Sequence, residues 1–172
     1  EHFYLLVEKL QEKGFVHYEL SNFGKPNYFS KNNSAYWLGK KYIGIGPSAH
    51  SYDGTNRSWN ISNNSLYIKF IQENKLPSET EKLTRNDRYN EYIMTGLRTI
   101  WGVSLSRIEQ EFGTNFLEYL LKQSEKFIAD DLLEILTSSD FEKQNRIEKI
   151  LRPTQKGKFL CDGIASDLFR VD

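Results

Sequence analysis

A chain of 172 residues, 38% hydrophobic and 27% charged, has room for one globular domain or two small ones sharing a seam. Its formal net charge is zero, so nothing global draws it to nucleic acid or to an anionic membrane surface. A single cysteine, Cys161, excludes an internal disulfide and a cysteine-built metal site.

The first residues place Phe3, Leu6, Val7 and Leu10 at helical spacing over 2–13, with Gly14 as a stop. Glu1 stands where a start methionine would and leads straight into this pattern, which reads as a truncated chain. Phe15 to Leu20 predicts a strand, followed by the turn-prone S-N-F-G-K-P-N, and a helix handing over to a strand is one step of a parallel sheet. From Tyr18 to Asn60 the chain is polar, rich in Gly and Pro, and loaded with rings: Tyr18, Phe23, Tyr28, Phe29, Tyr36, Trp37, Tyr42, Tyr52 and Trp59. Rings carried on irregular backbone are a common ligand wall, so function is sought here.

Tyr42 to Ile45 predicts a second short strand, ended by Gly44, Gly46 and Pro47. This G-x-G lacks the third glycine and following helix of a dinucleotide fingerprint. Residues 62–74 predict an amphipathic helix with Leu66, Ile68, Phe70 and Ile71, broken by Leu76-Pro77-Ser78, and a domain cut is set between 76 and 77.

Beyond the cut the pattern is mostly helical. Thr84, with Asp87 three residues on, caps a helix bearing Tyr89, Ile93, Leu97 and Ile100, stopped at Gly102. Ser104 caps a second, with Leu105, Ile108 and Phe112, closed by Gly113. Asn115 and Glu118 start a third, with Leu117, Leu120, Leu121 and Phe127 as its buried stripe. Residues 132–136 and 147–151 read as strands flanking a polar stretch over 137–146, and Thr154 caps a last helix through Phe159, Leu160, Ile164 and Leu168. Three helices, a hairpin and a closing helix make a winged-helix-like unit. The expected class is α/β (α+β), with units 1–76 and 77–172. No apolar run approaches the ~20 residues of a membrane span, no signal peptide is seen, and the lone cysteine fits a reducing cytoplasm.

The order Y-E-L-S-N-F, K-P, N-N-S-A-Y-W, Y-I-G-I-G-P-S-A-H-S-Y and W-N resembles the oxygen-independent coproporphyrinogen III oxidase-like proteins, in particular their heme-chaperone branch within the radical S-adenosylmethionine (SAM) superfamily. The likeness continues through L-T-R-N-D-R-Y-N-E-Y-I-M-T-G-L-R-T-I-W-G-V to R-P-T-Q-K-G-K-F-L. It implies that 1–76 is the last part of a partial (β/α) barrel and that the parent protein is a radical SAM oxidoreductase carrying a [4Fe-4S] cluster and SAM. The three cluster cysteines of such a protein are absent from this chain, which on this reading is catalytically silent alone.

The resemblance implies that Gly44, Ile45, Gly46, Ser48 and Ala49 line the SAM side of the barrel mouth. It implies further that Asn33, Tyr36, Trp37, His50 and Arg57 lie nearest a tetrapyrrole, heme or coproporphyrinogen, with heme-accepting proteins as partners. His50 is open to three roles, as heme-iron ligand, propionate partner or proton carrier, beside the alternative of a hydrogen-bonded loop residue. Arg57, Lys40 and Lys41 are candidate propionate partners, or a solvated face. The heme-chaperone branch implies H-N-x-x-Y-W where this chain has Asn32-Asn33 and then Tyr36-Trp37, so the implied heme ligand is an amide here. His17 and Cys161 read as packing residues. A second reading makes the helical half an interaction module for protein or nucleic acid. Its presumed recognition helix over 116–126 balances Lys122 and Lys126 with Glu118 and Glu125, which argues against duplex binding and leaves nucleic acid out of the expected partners.

Overall fold

The computed structural model describes residues 1–138 and 148–171. Helix α1 (His2–Glu12) ends in a Schellman arrangement: Gly14 takes φ +77°, its amide donates to Gln11 O, and Phe15 N donates to Leu10 O. Only Val7 of its stripe is buried, and Leu6 faces outward. Strands β1 (Val16–Glu19) and β2 (Asn22–Gly24) form a tight antiparallel hairpin. Among the described residues every ladder is antiparallel, so the parallel step expected after α1 is corrected. β1 spends its hydrogen bonds on the local hairpin and on the end of a later helix.

Helix α2 (Lys31–Trp37) occupies the N-N-S-A-Y-W stretch expected to be irregular, with Ser30 as N-cap accepting from Asn33 N. The strand expected at 42–45 is reduced to one bridge, Tyr42 with Tyr52. Side chains replace the ladder beyond it: Gly44 N donates to Ser51 Oγ, and the Asn60 amide donates to the carbonyls of Gly44 and Gly46. Strands β3 (His50–Tyr52) and β4 (Asn56–Asn60) are joined by a turn in which the Asp53 carboxylate accepts from Thr55 N, Asn56 N and the Asn56 amide. Helix α3 (Asn64–Gln72), capped by Asn63, leaves Leu66, Ile68 and Ile71 exposed.

Strand β5 (Ser78–Lys82) lies past the cut expected at 76/77, yet it pairs with β4 from Asn56↔Lys82 to Asn60↔Ser78. Its sequence, S-E-T-E-K, shows no apolar alternation because all five residues are exposed on a sheet edge, where charge blocks further pairing.

Helix α4 (Arg85–Leu97) opens with a full capping box between Thr84 and Asp87. It buries Tyr89, Ile93, Gly96 and Leu97. A Cβ on Gly96 would meet Val103 Cγ2 at 2.6 Å, so glycine lets strand β6 (Val103–Ser104) close onto the helix. Helix α5 (Leu105–Phe112) is capped by Ser104, and Gly113, at φ +88°, turns the chain into α6 (Thr114–Ala129). Strands β7 (Leu133–Ser138) and β8 (Glu148–Pro153) pair over six residues, and β6 joins β8 to give the order β6-β8-β7. The expected polar connection over 137–146 lies, from 139 on, outside the described residues. The expected last helix is two: α7 (Gln155–Lys158), capped by Thr154, and α8 (Cys161–Asp167).

Helix, strand, two helices and a hairpin follow the winged-helix order, and one core fills this half: Tyr89, Ile93, Leu97, Val103, Ile108, Leu120, Leu133, Leu151 and Leu168 are at most 2% exposed. The whole is a mixed α+β structure. The two halves are tied through backbone: Leu20 N donates to Arg98 O, Ile100 N donates to Tyr18 O, and Glu19 bridges Thr99. No described helix is long and apolar enough to cross a membrane.

Candidate functional site

Between the two halves lies a cavity of about 910 Å³, within the range of small-molecule sites. One wall comes from α2, the segment after it and the β3–β4 hairpin, with Tyr36, Trp37, Tyr42, Tyr52 and Arg57; the other comes from α4 and its C-cap, with Arg88, Glu91, Tyr92 and Arg98. Helical spacing explains the second wall, because 88, 91, 92 and 95 fall on the face opposite the buried Tyr89-Ile93-Leu97 stripe.

Rings and charges alternate around this space. The rings of Tyr36 and Trp37 stand edge to face at 5.3 Å, and Tyr42 lies tilted between Tyr36 (5.9 Å) and Tyr52 (6.2 Å). Arg57 crosses the seam to pair with Glu91 at 2.6 Å. Burial pushes the Glu91 carboxyl up, against the pull of Arg57. Burial likewise pushes the Tyr42 and Tyr52 phenols up. Arg107 lies 4.2 Å over the Tyr92 ring and pairs with Glu111 at 2.8 Å.

Arg98 closes one end. Its guanidinium stacks 5.0 Å from Trp37, meets Glu19 Oε1 at 3.1 Å, and holds both Asp162 oxygens at 2.7 Å. Glu19 is 1% exposed and also accepts from Ser21 N and the Asn22 amide. One arginine thus gathers β1, α2, α4 and α8.

Of the residues singled out for a tetrapyrrole, Tyr36, Trp37 and Arg57 come together on the cavity. Asn33 is set behind them, donating to Tyr18 OH at 3.3 Å and accepting from Trp37 Nε1 at 3.0 Å, so it orients the indole. His50 is exposed on β3, paired with Trp59 and tilted against its ring at 6.2 Å, and does not line the cavity. Lys40 reaches the lining, while the Lys41 side chain lies against Gly54. Arg88, Glu91, Tyr92 and Arg98 carried no signal as site residues, since on α4 they read as the polar face of an amphipathic helix.

The turn from Gly44 to Ala49 forms a separate surface. Ile43 and Ile45 are 85% and 89% exposed on either side of Gly44. A Cβ on Gly44 would fall 2.2 Å from His50 O, so only glycine fits there, and Gly46 takes φ +104°. Several of the turn's polar groups have partners: Gly44 N on Ser51, Gly46 N on Tyr67 OH, the Gly44 and Gly46 carbonyls on Asn60, and Ser48 N on Ile61 O. The residues expected to line the SAM side thus form a surface of their own, apart from the cavity. The residues present do not fit an iron-sulfur cluster. The chain's one thiol, Cys161, is buried and pushed up to about 12 by that burial, and no group of three metal-ligating side chains occurs among the described residues.

The helix-and-hairpin half defines the class. Residues 83–139 match the family model of the HemN C-terminal domain, beginning directly after β5. The chain is 32% identical to the heme chaperone HemW of Lactococcus lactis over 165 residues, covering 92% of this chain and 41% of that protein. It is 34% identical to the heme chaperone HemW of Bacillus subtilis over 114 residues, covering 66% of this chain and 30% of that one. In fold it superposes on the coproporphyrinogen III oxidase (HemN) of Escherichia coli, described as a radical SAM enzyme, with a TM-score of 0.66 and 20% identity over 95% of this chain and 39% of that one. The chain belongs to the HemN/HemW-like proteins and corresponds to their C-terminal part. It spans 30% to 41% of the length of these relatives.

Proposed function

We propose that the chain is the tetrapyrrole-handling C-terminal part of a radical SAM protein of the heme-chaperone type. Heme or a related porphyrin would be its cargo, in a reducing, cytoplasmic setting. The observation that carries the reading is the convergence of Tyr36, Trp37 and Arg57, distant from α4 in sequence, on one wall of a cavity that α4 completes. Two named heme chaperones among the relatives support it. SAM and a [4Fe-4S] cluster would belong to the parent protein's remaining length, since this chain lacks the thiolates to hold a cluster.

On this reading the chain supplies no bond-making chemistry. Its rings offer flat apolar area to a macrocycle, and its arginines offer paired hydrogen bonds to propionates. With Asn32 where the heme-chaperone branch implies His, His50 is the proposed axial ligand, two residues along β3 from the cavity-lining Tyr52 and on the same face of the strand. The division into units follows the seam, with α4 onward as the second.

The test is a heme titration followed at the Soret band, with His50→Ala beside the wild-type protein. Saturable binding with a ligand-field band lost in the variant is expected. An unchanged spectrum in the variant would remove His50 from the site, and no saturable binding by the wild type would overturn the reading.

A further inference from the structure

Five cations line the seam cavity, and three are neutralised within the protein: Arg57 by Glu91, Arg98 by Glu19 and Asp162, Arg107 by Glu111. Among the acids, Asp87 is engaged by Thr84 in the capping box, which leaves Glu81, exposed on β5. Arg88 is different. It is partly buried, it makes no ion pair with any described residue, and its Nε is shut from solvent without a hydrogen-bond partner. A buried guanidinium nitrogen left unsatisfied is costly, and such a group calls for an acceptor. Lys40, the fifth cation, also forms no ion pair with a described residue and lies on the opposite wall, just beyond α2.

We propose that Arg88 is the carboxylate-binding residue of this cavity, taking an acid group of a planar aromatic ligand whose rings lie against Tyr36, Trp37, Tyr42 and Tyr52. Lys40 serves as the second, looser cation, suited to a ligand with two acid arms. The inference rests on the tetrapyrrole reading above and deepens it, assigning the propionate contact to α4 rather than to the aromatic loop that carries the sequence signal. The guanidinium suits the role because its forked donors match a carboxylate in two parallel bonds. Arg57 is excluded as first partner, since its ion pair with Glu91 at 2.6 Å would have to break.

The experiment titrates the protein with metal-free protoporphyrin IX, reading porphyrin absorbance and fluorescence, so that no iron ligand contributes. The same porphyrin with both propionates converted to neutral hydroxyl-bearing amides is titrated alongside. Arg88→Met should weaken binding of the acid form about tenfold or more, the loss of one charge-assisted contact. The amide form should bind wild type about as weakly as the acid binds the variant, and Arg88→Lys should recover part of the loss. Arg85→Met, on the same helix but stacked on Phe116 outside the cavity, should leave binding unchanged. Acid porphyrin binding equally to wild type and Arg88→Met would overturn the assignment while leaving tetrapyrrole binding intact. No porphyrin binding to wild type would overturn both.

Discussion

Removing the Arg98 head group tests how the two halves are held. In Arg98→Met the aliphatic stem remains but Glu19, 1% exposed, loses its only cationic partner among the described residues. Breaking a buried pair from one side costs about 3–5 kcal/mol. Ser21 N and the Asn22 amide still donate to Glu19, which places the expected cost near the lower end, at about 3 kcal/mol. The other half of the interaction is worth far less. Asp162 is 55% exposed, and an exposed ion pair is worth about 0–1 kcal/mol, so Asp162→Asn should cost about 1 kcal/mol, the bidentate geometry placing it at the upper end. Loss of the cation over Trp37 adds about 0.5–1 kcal/mol in Arg98→Met. Urea unfolding followed by far-ultraviolet dichroism and by tryptophan fluorescence gives the midpoints and slopes. The double variant Glu19→Gln/Arg98→Met should be less destabilised than the sum of its parts, because no buried charge is left behind. Equal costs for Arg98→Met and Asp162→Asn would refute the reasoning, as would an Arg98→Met variant within 1 kcal/mol of wild type.

Two further outcomes follow from local geometry. Gly44→Ala drives a methyl to 2.2 Å from His50 O and should cost about 1–3 kcal/mol, displacing the β3 strand; amide exchange at Ser51 and Tyr52 reads this directly, and unaltered protection there would count against the packing argument. His17, 3% exposed between Phe3 and Phe23 with Leu20 O on Nε2, has its pKa lowered below 6.5, chiefly by burial, with Leu20 O opposing and Lys158 assisting. Because the folded value is the depressed one, stability is fully present above the unfolded pKa of about 6.5 and is lost as pH falls through the folded value. His17→Phe should flatten that acid limb of the melting temperature, and an unchanged slope would assign it to other groups.

Several elements could be read from the chain directly because their signals are local. The Thr84–Asp87 capping box, the Ser104 and Thr154 caps and the Gly113 turn are each fixed by residues within three positions, and the Tyr89-Ile93-Leu97 stripe is fixed by helical period. The family resemblance is likewise carried by short runs in order, and three of the residues it singles out, Tyr36, Trp37 and Arg57, lie on one wall of the cavity. What neighbours in sequence could not express was pairing at a distance. Strand β5 has no apolar face to reveal it and exists because β4 offers an edge; the glycine turn at 44–46 forgoes a ladder because Asn60, fourteen and sixteen positions away, takes its carbonyls. The far wall of the cavity was hidden for the same reason. Arg88, Glu91 and Arg98 look like the solvated face of a helix until the loop from α2 to β4 folds over them, and burial, a property of the assembled chain alone, turns that polar face into the lining of a cavity.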